Sequence, residues 1–153
     1  MLVPLVRMAQ AVAVTAVLLL PAAAQTPPAT PLADKPFAEH YLVLQLSDRE
    51  QDKQALVLSV ANNLLKEFDL DRIAIEVVAF GPGIDLLRAE SPNRARVDSL
   101  IAQGVQFDIC MNTVDTLERE GKHVTINPNA VKVQVGVKRI IELTGKGYTL
   151  VRP

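Results

Sequence analysis

Residues 40–80 read HYLVLQLSDREQDKQALVLSVANNLLKEFDLDRIAIEVVAF, and this stretch decides the fold. Its first seven residues, HYLVLQL, form a nearly unbroken apolar run rich in β-formers, the pattern of a strand buried on both faces. Ser47 and Asp48 follow, both residue types that cap helices. From there to Phe68, the residues Leu56, Val57, Val60, Ala61, Leu64, Leu65 and Phe68 recur at spacings of three and four. That is one broad apolar face of a helix. RIAIEVVAF, residues 72–80, is a second buried strand. Two such strands separated by a helix call for parallel pairing through a helical crossover.

The same alternation continues downstream. GPG at 81–83 breaks the chain, and IDLLRAE predicts a short helical turn. Pro92 and Asn93 open a helix with Val97, Leu100 and Ile101 as its stripe and Gly104 as its stop. VQFDICM, residues 105–111, is a third strand. Asn112 or Thr113 caps the next helix, which carries Val114 and Leu117 and ends near Gly121. A short strand is expected at 131–133 and a turn at Asn127–Asn129. A last helix carries Val137, Ile140 and Ile141 and stops at Gly145 or Gly147, and residues 148–151 close as a strand. The expected fold is α/β: a three-layer sandwich, with a mostly parallel sheet of about five strands and helices on both faces.

Upstream lies a different kind of sequence. Arg7 is the sole charge before Asp34, the run from Met8 to Leu20 is apolar, Pro21 breaks it, and Ala22–Ala23–Ala24 follows. A positive start, a short apolar core and an A-x-A site describe a secretory signal peptide, here residues 1–24. Residues 25–36 hold Pro27, Pro28, Pro31 and Pro36 and read as an extended linker. The folded domain is expected at 37–153, in a periplasmic or secreted protein that has no membrane association once the signal is removed.

Composition excludes several functions. The formal charge is −1, with Lys and Arg scattered, no Trp, two Tyr and four Phe. That gives neither the basic stripe nor the aromatic platforms that nucleic acid requires. Two histidines and one cysteine offer no metal-ligand spacing. GPG lacks the patterns of a phosphate loop, no Ser-His-Asp or paired-carboxylate arrangement stands out, and no cofactor is expected.

What remains is Cys110, the only cysteine, at the carboxyl end of the third strand. Open parallel sheets bind ligands beyond that edge. On this reading four loops emerge there: 47–50, 81–83, 110–113 and the region of 127–129. A thiolate beside the unpaired N–H groups of a helix start is stabilised and becomes the better nucleophile. Gln106, Asp108 and Cys110 share the more polar face of a strand that reads as less buried than the first two. Against this, free cysteine is often a small buried apolar side chain. No histidine stands near it in sequence: His40 begins a strand at the opposite end, and His123 lies beyond the following helix. A thiol–disulfide role would need a resolving cysteine from a partner.

VVAFGPGIDLL, GVQFDICMNT and GVKRIIELTGKGYTLVRP, three blocks in that order, resemble the DsrE/DsrF-like family associated with sulfur relay. The resemblance runs over residues 41–153. It implies a compact α/β sandwich that assembles into homo-oligomers, often trimers or larger. It also implies that Cys110, at the position of the family's sulfur-carrying cysteine, bears a persulfide exchanged with donor or acceptor proteins. In that setting the helix starting at Asn112 and Thr113 would stabilise the sulfur, and Gly81 and Gly83 would shape its pocket. Two readings stand together: an exported persulfide carrier acting through Cys110, or a non-catalytic oligomeric binding module with a structural cysteine.

Overall fold

The strand Ile73–Ala79, β2, is buried at every position, and the molecule is arranged around it. The computed structural model describes residues 35–153. The expected signal peptide, and all of the expected linker before Lys35, lie outside the described residues. Five strands, β1 (His40–Leu46), β2, β3 (Gln106–Cys110), β4 (Val131–Val133) and β5 (Thr149–Val151), form one sheet in the order β4-β3-β2-β1-β5. Every pairing is parallel, from His40 opposite Ile73 in β1–β2 to Leu42 opposite Thr149 in β1–β5. The helices are α1 (Gln51–Phe68), α2 (Arg94–Ala102), α3 (Met111–Arg119) and α4 (Gly136–Gly145), with a 3₁₀ helix at Gly81–Leu87. This is the expected α/β sandwich.

The two faces of the sheet are unequal. Leu44, Leu46, Ile75, Val77, Phe107 and Ile109 point to one face, where they pack against α1, α2, α3 and the 3₁₀ helix in the larger core. On the other face Val43, Ala74 and Val78 form a smaller core with Ile140 and Leu143 of α4 and Tyr148, flanked by Ala38, Tyr41 and Phe80. The imbalance follows from chain order. The first three crossovers step steadily along the sheet on one side. The link from β4 to β5 must travel from one edge to the other, and it does so across the opposite face.

Several boundaries differ from expectation. Ser47 and Asp48 do not cap α1: the helix starts at Gln51 with Glu50 at its N-cap and no side-chain cap bond. The expected stripe of α1 is shifted, with Leu58 buried and Leu56 44% exposed. Gly104 does stop α2: it adopts φ +85°, and the N–H groups of Gly104 and Val105 bond back to the carbonyls of Ile101 and Leu100 in the manner of a Schellman ending. In α4, Ile140 and Leu143 face the sheet, whereas Val137 and Ile141, expected in its core stripe, are 49% and 65% exposed. At the amino edge of the sheet Lys35 is buried and donates from Nζ to the carbonyls of Leu70 and Ile73, so chain ahead of residue 37 is tied to the domain.

Gly83 shows how closely the 3₁₀ helix is seated. A Cβ at this position would stand 2.4 Å from the Leu46 carbonyl oxygen, a backbone atom. The absent side chain lets the loop after β2 lie directly on the end of β1. Gly83→Ala should therefore force backbone movement and destabilise the domain by about 2–3 kcal/mol, read as a lowered urea midpoint. An unchanged midpoint would show that the two strand ends are not held this tightly.

Candidate functional site

Alternation along β3 decides where each side chain goes. Phe107 and Ile109 enter the larger core, which leaves Gln106, Asp108 and Cys110 on the α4 side. The expectation that β3 is less buried than the first two strands holds against β2, which is buried throughout, but is overturned against β1: Phe107, Asp108, Ile109 and Cys110 are all buried, whereas β1 is only partly so. The reason is α4, which lies across this face and brings polar partners to the polar side chains.

Cys110 closes β3, and α3 starts at the next residue. Asn112 and Thr113 are therefore inside the first turn of α3 rather than its caps, and no side chain caps that helix. The sulfur turns away from α3 towards α4. Gly136, the first residue of α4, donates its N–H to Cys110 Sγ at 3.3 Å, and Sγ lies 3.9 Å from the carbonyl oxygen of Gln134. Asn112 and Gln134 close the same seam: the Asn112 N–H donates to the Gln134 carbonyl, and Gln134 Nε2 donates to Asn112 Oδ1. Gly136 permits this approach, since a Cβ there would stand 3.3 Å from the Cys110 Cβ and 3.2 Å from that of Phe80. The segment after β4 thus covers the sulfur. The residues expected in that place, 127–129, precede β4 and lie at the amino edge of the sheet. There Asn127 and Asn129 donate to Asp98 of α2 and hold its carboxyl below the usual range.

One turn into α4, Arg139 makes the main ionic contact of this face. Its Nε and Nη2 donate to the two carboxylate oxygens of Glu76, at 2.5 and 3.0 Å, and Nε also lies 3.3 Å from Asp108 Oδ2. Gln106 Nε2 donates to Asp108 Oδ1 at 2.8 Å. Both carboxyl groups are wholly buried. Burial, then the hydrogen bond and the repulsion from Glu76, push the Asp108 carboxyl up to about 8, against the pull of Gln106 and Arg139. The two carboxylates raise the Arg139 guanidinium further above its ordinary value. Sequence reading missed this cluster. The signal was present as Glu76, a lone acid within RIAIEVVAF: a carboxylate inside a strand buried on both faces demands a cation from a covering element.

The glycines and the α3 residues expected around the sulfur are divided. A cleft of about 370 Å³ opens at the carboxyl edge between the loops after β1, β2 and β3, lined by Arg49, Gly81, Asp85, Asn112, Thr113 and Leu117 among others. Gly81 donates its N–H to Thr113 Oγ1 across it. This cleft is on the α3 side, whereas the sulfur is on the α4 side, and Gly83 serves the contact with Leu46 instead. His40 and His123 are exposed, and the His40 ring lies tilted against that of Phe68. Among the described residues no group of His, Cys, Asp and Glu is gathered as a metal site, and no helix is long and apolar enough to cross a membrane.

No protein-family model matches the chain, and neither does any curated protein. Among solved structures it is similar to the protein of unknown function MTH1491 from Methanobacterium thermoautotrophicum, at 27% identity and a TM-score of 0.68, over 75% of this chain and 100% of that one. It is also similar to the ychN protein from E. coli, at 14% identity and a TM-score of 0.57, over 74% of this chain and 99% of that one. The fold is DsrE-like.

The acid pair sets a pH dependence whose sign is fixed. Asp108 holds its proton up to about 8 when folded but only to the ordinary 3.8 when unfolded. The folded chain carries the extra proton between these values. The resulting stability is full below the lower value and is lost as pH rises through the upper one, by up to about 1.4 kcal/mol per pH unit. Urea unfolding of the wild type should show this decline relative to Asp108→Asn. Parallel profiles would mean that Asp108 is already ionised in the fold.

Proposed function

We propose that this is an exported sulfur-handling protein in which Cys110 accepts a sulfane sulfur, holds it as a persulfide and passes it to another thiol. The observation that carries the reading is the hydrogen bond from Gly136 N–H to Sγ at the start of α4. A helix N-terminus presents donors and a positive partial charge, matched to a sulfur that is anionic as thiolate or persulfide. The place is the carboxyl edge of a parallel sheet, where such folds act, and the DsrE-like fold agrees with it. Export is supported by the sequence of residues 1–24.

The transfer needs no external oxidant. The Cys110 thiolate attacks the terminal sulfur of a donor persulfide, R–S–SH. A new sulfur–sulfur bond forms, the donor's bond breaks, and its electron pair leaves on R–S⁻. An acceptor thiolate then repeats the step on Cys110–S–SH and restores the Cys110 thiolate. Incubation with a low-molecular-weight persulfide should add the mass of one sulfur atom to the wild type, and Cys110→Ser should add none. Uptake by the serine variant, or none by the wild type, would refute the reading.

The alternative of an oligomeric binding module with a structural cysteine shares one element with the first reading, self-assembly. It is favoured by the outer face of α4, where Val137 and Ile141 are exposed beside Val135, an apolar strip that a neighbour would cover. Lys138 and Glu142 border it with opposite charges, which suits two antiparallel copies of the same helix. Ile141→Glu should lower the assembled mass in sedimentation while leaving the fold intact. Unchanged assembly would remove α4 from the interface. A Cys110→Ala chain that assembles normally, combined with failed sulfur uptake by the wild type, would favour the binding module.

A further inference from the structure

In the resting fold Cys110 is 5% exposed. A donor must bring its sulfur to within about 3.5 Å of Sγ for reaction, and the first turn of α4 with residues 134–135 occupies that approach. Gly136 lies against the sulfur with no side chain between them. The same turn carries Arg139, whose own N–H bonds to the Val135 carbonyl. The backbone that covers Cys110 and the guanidinium that grips the sheet are therefore one rigid helical unit. The Arg139 side chain is 22% exposed, at the margin of the cluster, while the carboxylates it holds are 1% and 0% exposed.

We propose that the first turn of α4 is a gate over Cys110 and that Arg139, paired with Glu76 and Asp108 one turn away, is the latch that keeps it shut. The gate presupposes that Cys110 is the sulfur-bearing residue and names what controls access to it.

The charges around the latch explain its sensitivity. Glu76 faces Asp108 from β2, Gln106 and Cys110 flank it on β3, and Arg139 reaches it from α4. Val131 of β4 pairs with Asp108 and Val43 of β1 pairs with Glu76, so neither neighbouring strand adds a charge at those positions. One guanidinium against two carboxyl groups is neutral while Asp108 keeps its proton. When Asp108 ionises, two anions are buried side by side with one cation between them. Opening lets water reach both carboxylates and relieves their desolvation and mutual repulsion, so the ionised cluster favours the open gate. A rise in pH towards about 8 should therefore open the gate.

The test is the rate of Cys110 alkylation by iodoacetamide in the folded chain, from neutral to alkaline pH and at low urea concentrations. A gate opens locally, so the wild-type rate should change little with urea below the unfolding transition. Its rise with pH should be steeper than first order in hydroxide, and Asp108→Asn should return it to first order. Arg139→Gln should raise the rate at neutral pH by about tenfold or more, as a matching shift of the gate equilibrium requires, with Arg139→Lys in between. A wild-type rate that follows urea with the full slope of global unfolding would overturn the gate. So would a first-order pH profile in the wild type, or rates in the Arg139 variants that merely track their lost stability. The two proposals fail separately. Sulfur loading on Cys110 with no effect of the latch variants keeps the carrier and removes the gate. Faster alkylation in those variants with no loading keeps the gate and removes the carrier.

Discussion

The bidentate grip of Arg139 on Glu76, with Asp108 beside it, is the contact on which the thinner half of this molecule depends. One helix, α4, is the only helix packed on that face of the sheet among the described residues, and its apolar contribution is chiefly Ile140 and Leu143. So small a core leaves the rotation and height of α4 weakly specified. Two carboxyl groups buried on adjacent strands remove the ambiguity, because their desolvation is tolerable only where the guanidinium reaches both. Arg139 must then stand over β2 and β3, and Gly136, one turn earlier, must stand over Cys110. The position of the sulfur's hydrogen-bond donor follows from an ion pair that does not touch the sulfur.

The central strands were legible in the sequence because burial on both faces leaves a continuous apolar run with no competing periodicity. β1 begins and ends where HYLVLQL does, and even the short β4 falls at 131–133. Helix starts were less legible. Ser47, Asp48, Asn112 and Thr113 are good capping types, yet the chain uses Glu50 and Cys110, since the length of each loop is set by packing between strand end and helix. Outward residues of α4 were misread for a related reason: Val137 and Ile141 fit an inward stripe by spacing, and only the direction from which the sheet approaches selects Ile140 and Leu143 instead.

The site was half legible. Strand alternation put Gln106, Asp108 and Cys110 on one face, and that is where they lie. Which helix would meet that face required the strand order. With β4 and β5 at opposite edges, the crossover between them passes over the polar side of β3, and the sulfur faces α4 instead of the helix that follows it in sequence. The same fact separates Cys110 from Gly81 and Thr113, which line a cleft on the other side, while Asn112 lines that cleft and also joins the seam over the sulfur. It also removes residues 127–129 from the carboxyl edge, because a parallel β4 places its preceding loop at the amino edge.

The pairing of β5 with β1 has a consequence for the order in which the chain becomes a folded object. Leu42 near the start of the domain waits for Thr149 near its end, and until then β1 presents an open edge with unpaired backbone groups. Helix α4 comes just before β5, so both the second layer and the sheet edge are completed by the last two elements of the domain. Contacts this distant in sequence carry the full loop-closure entropy and slow the final step. The domain thus stays unfinished until its last strand is in place, and everything before it must wait with one face and one edge uncovered.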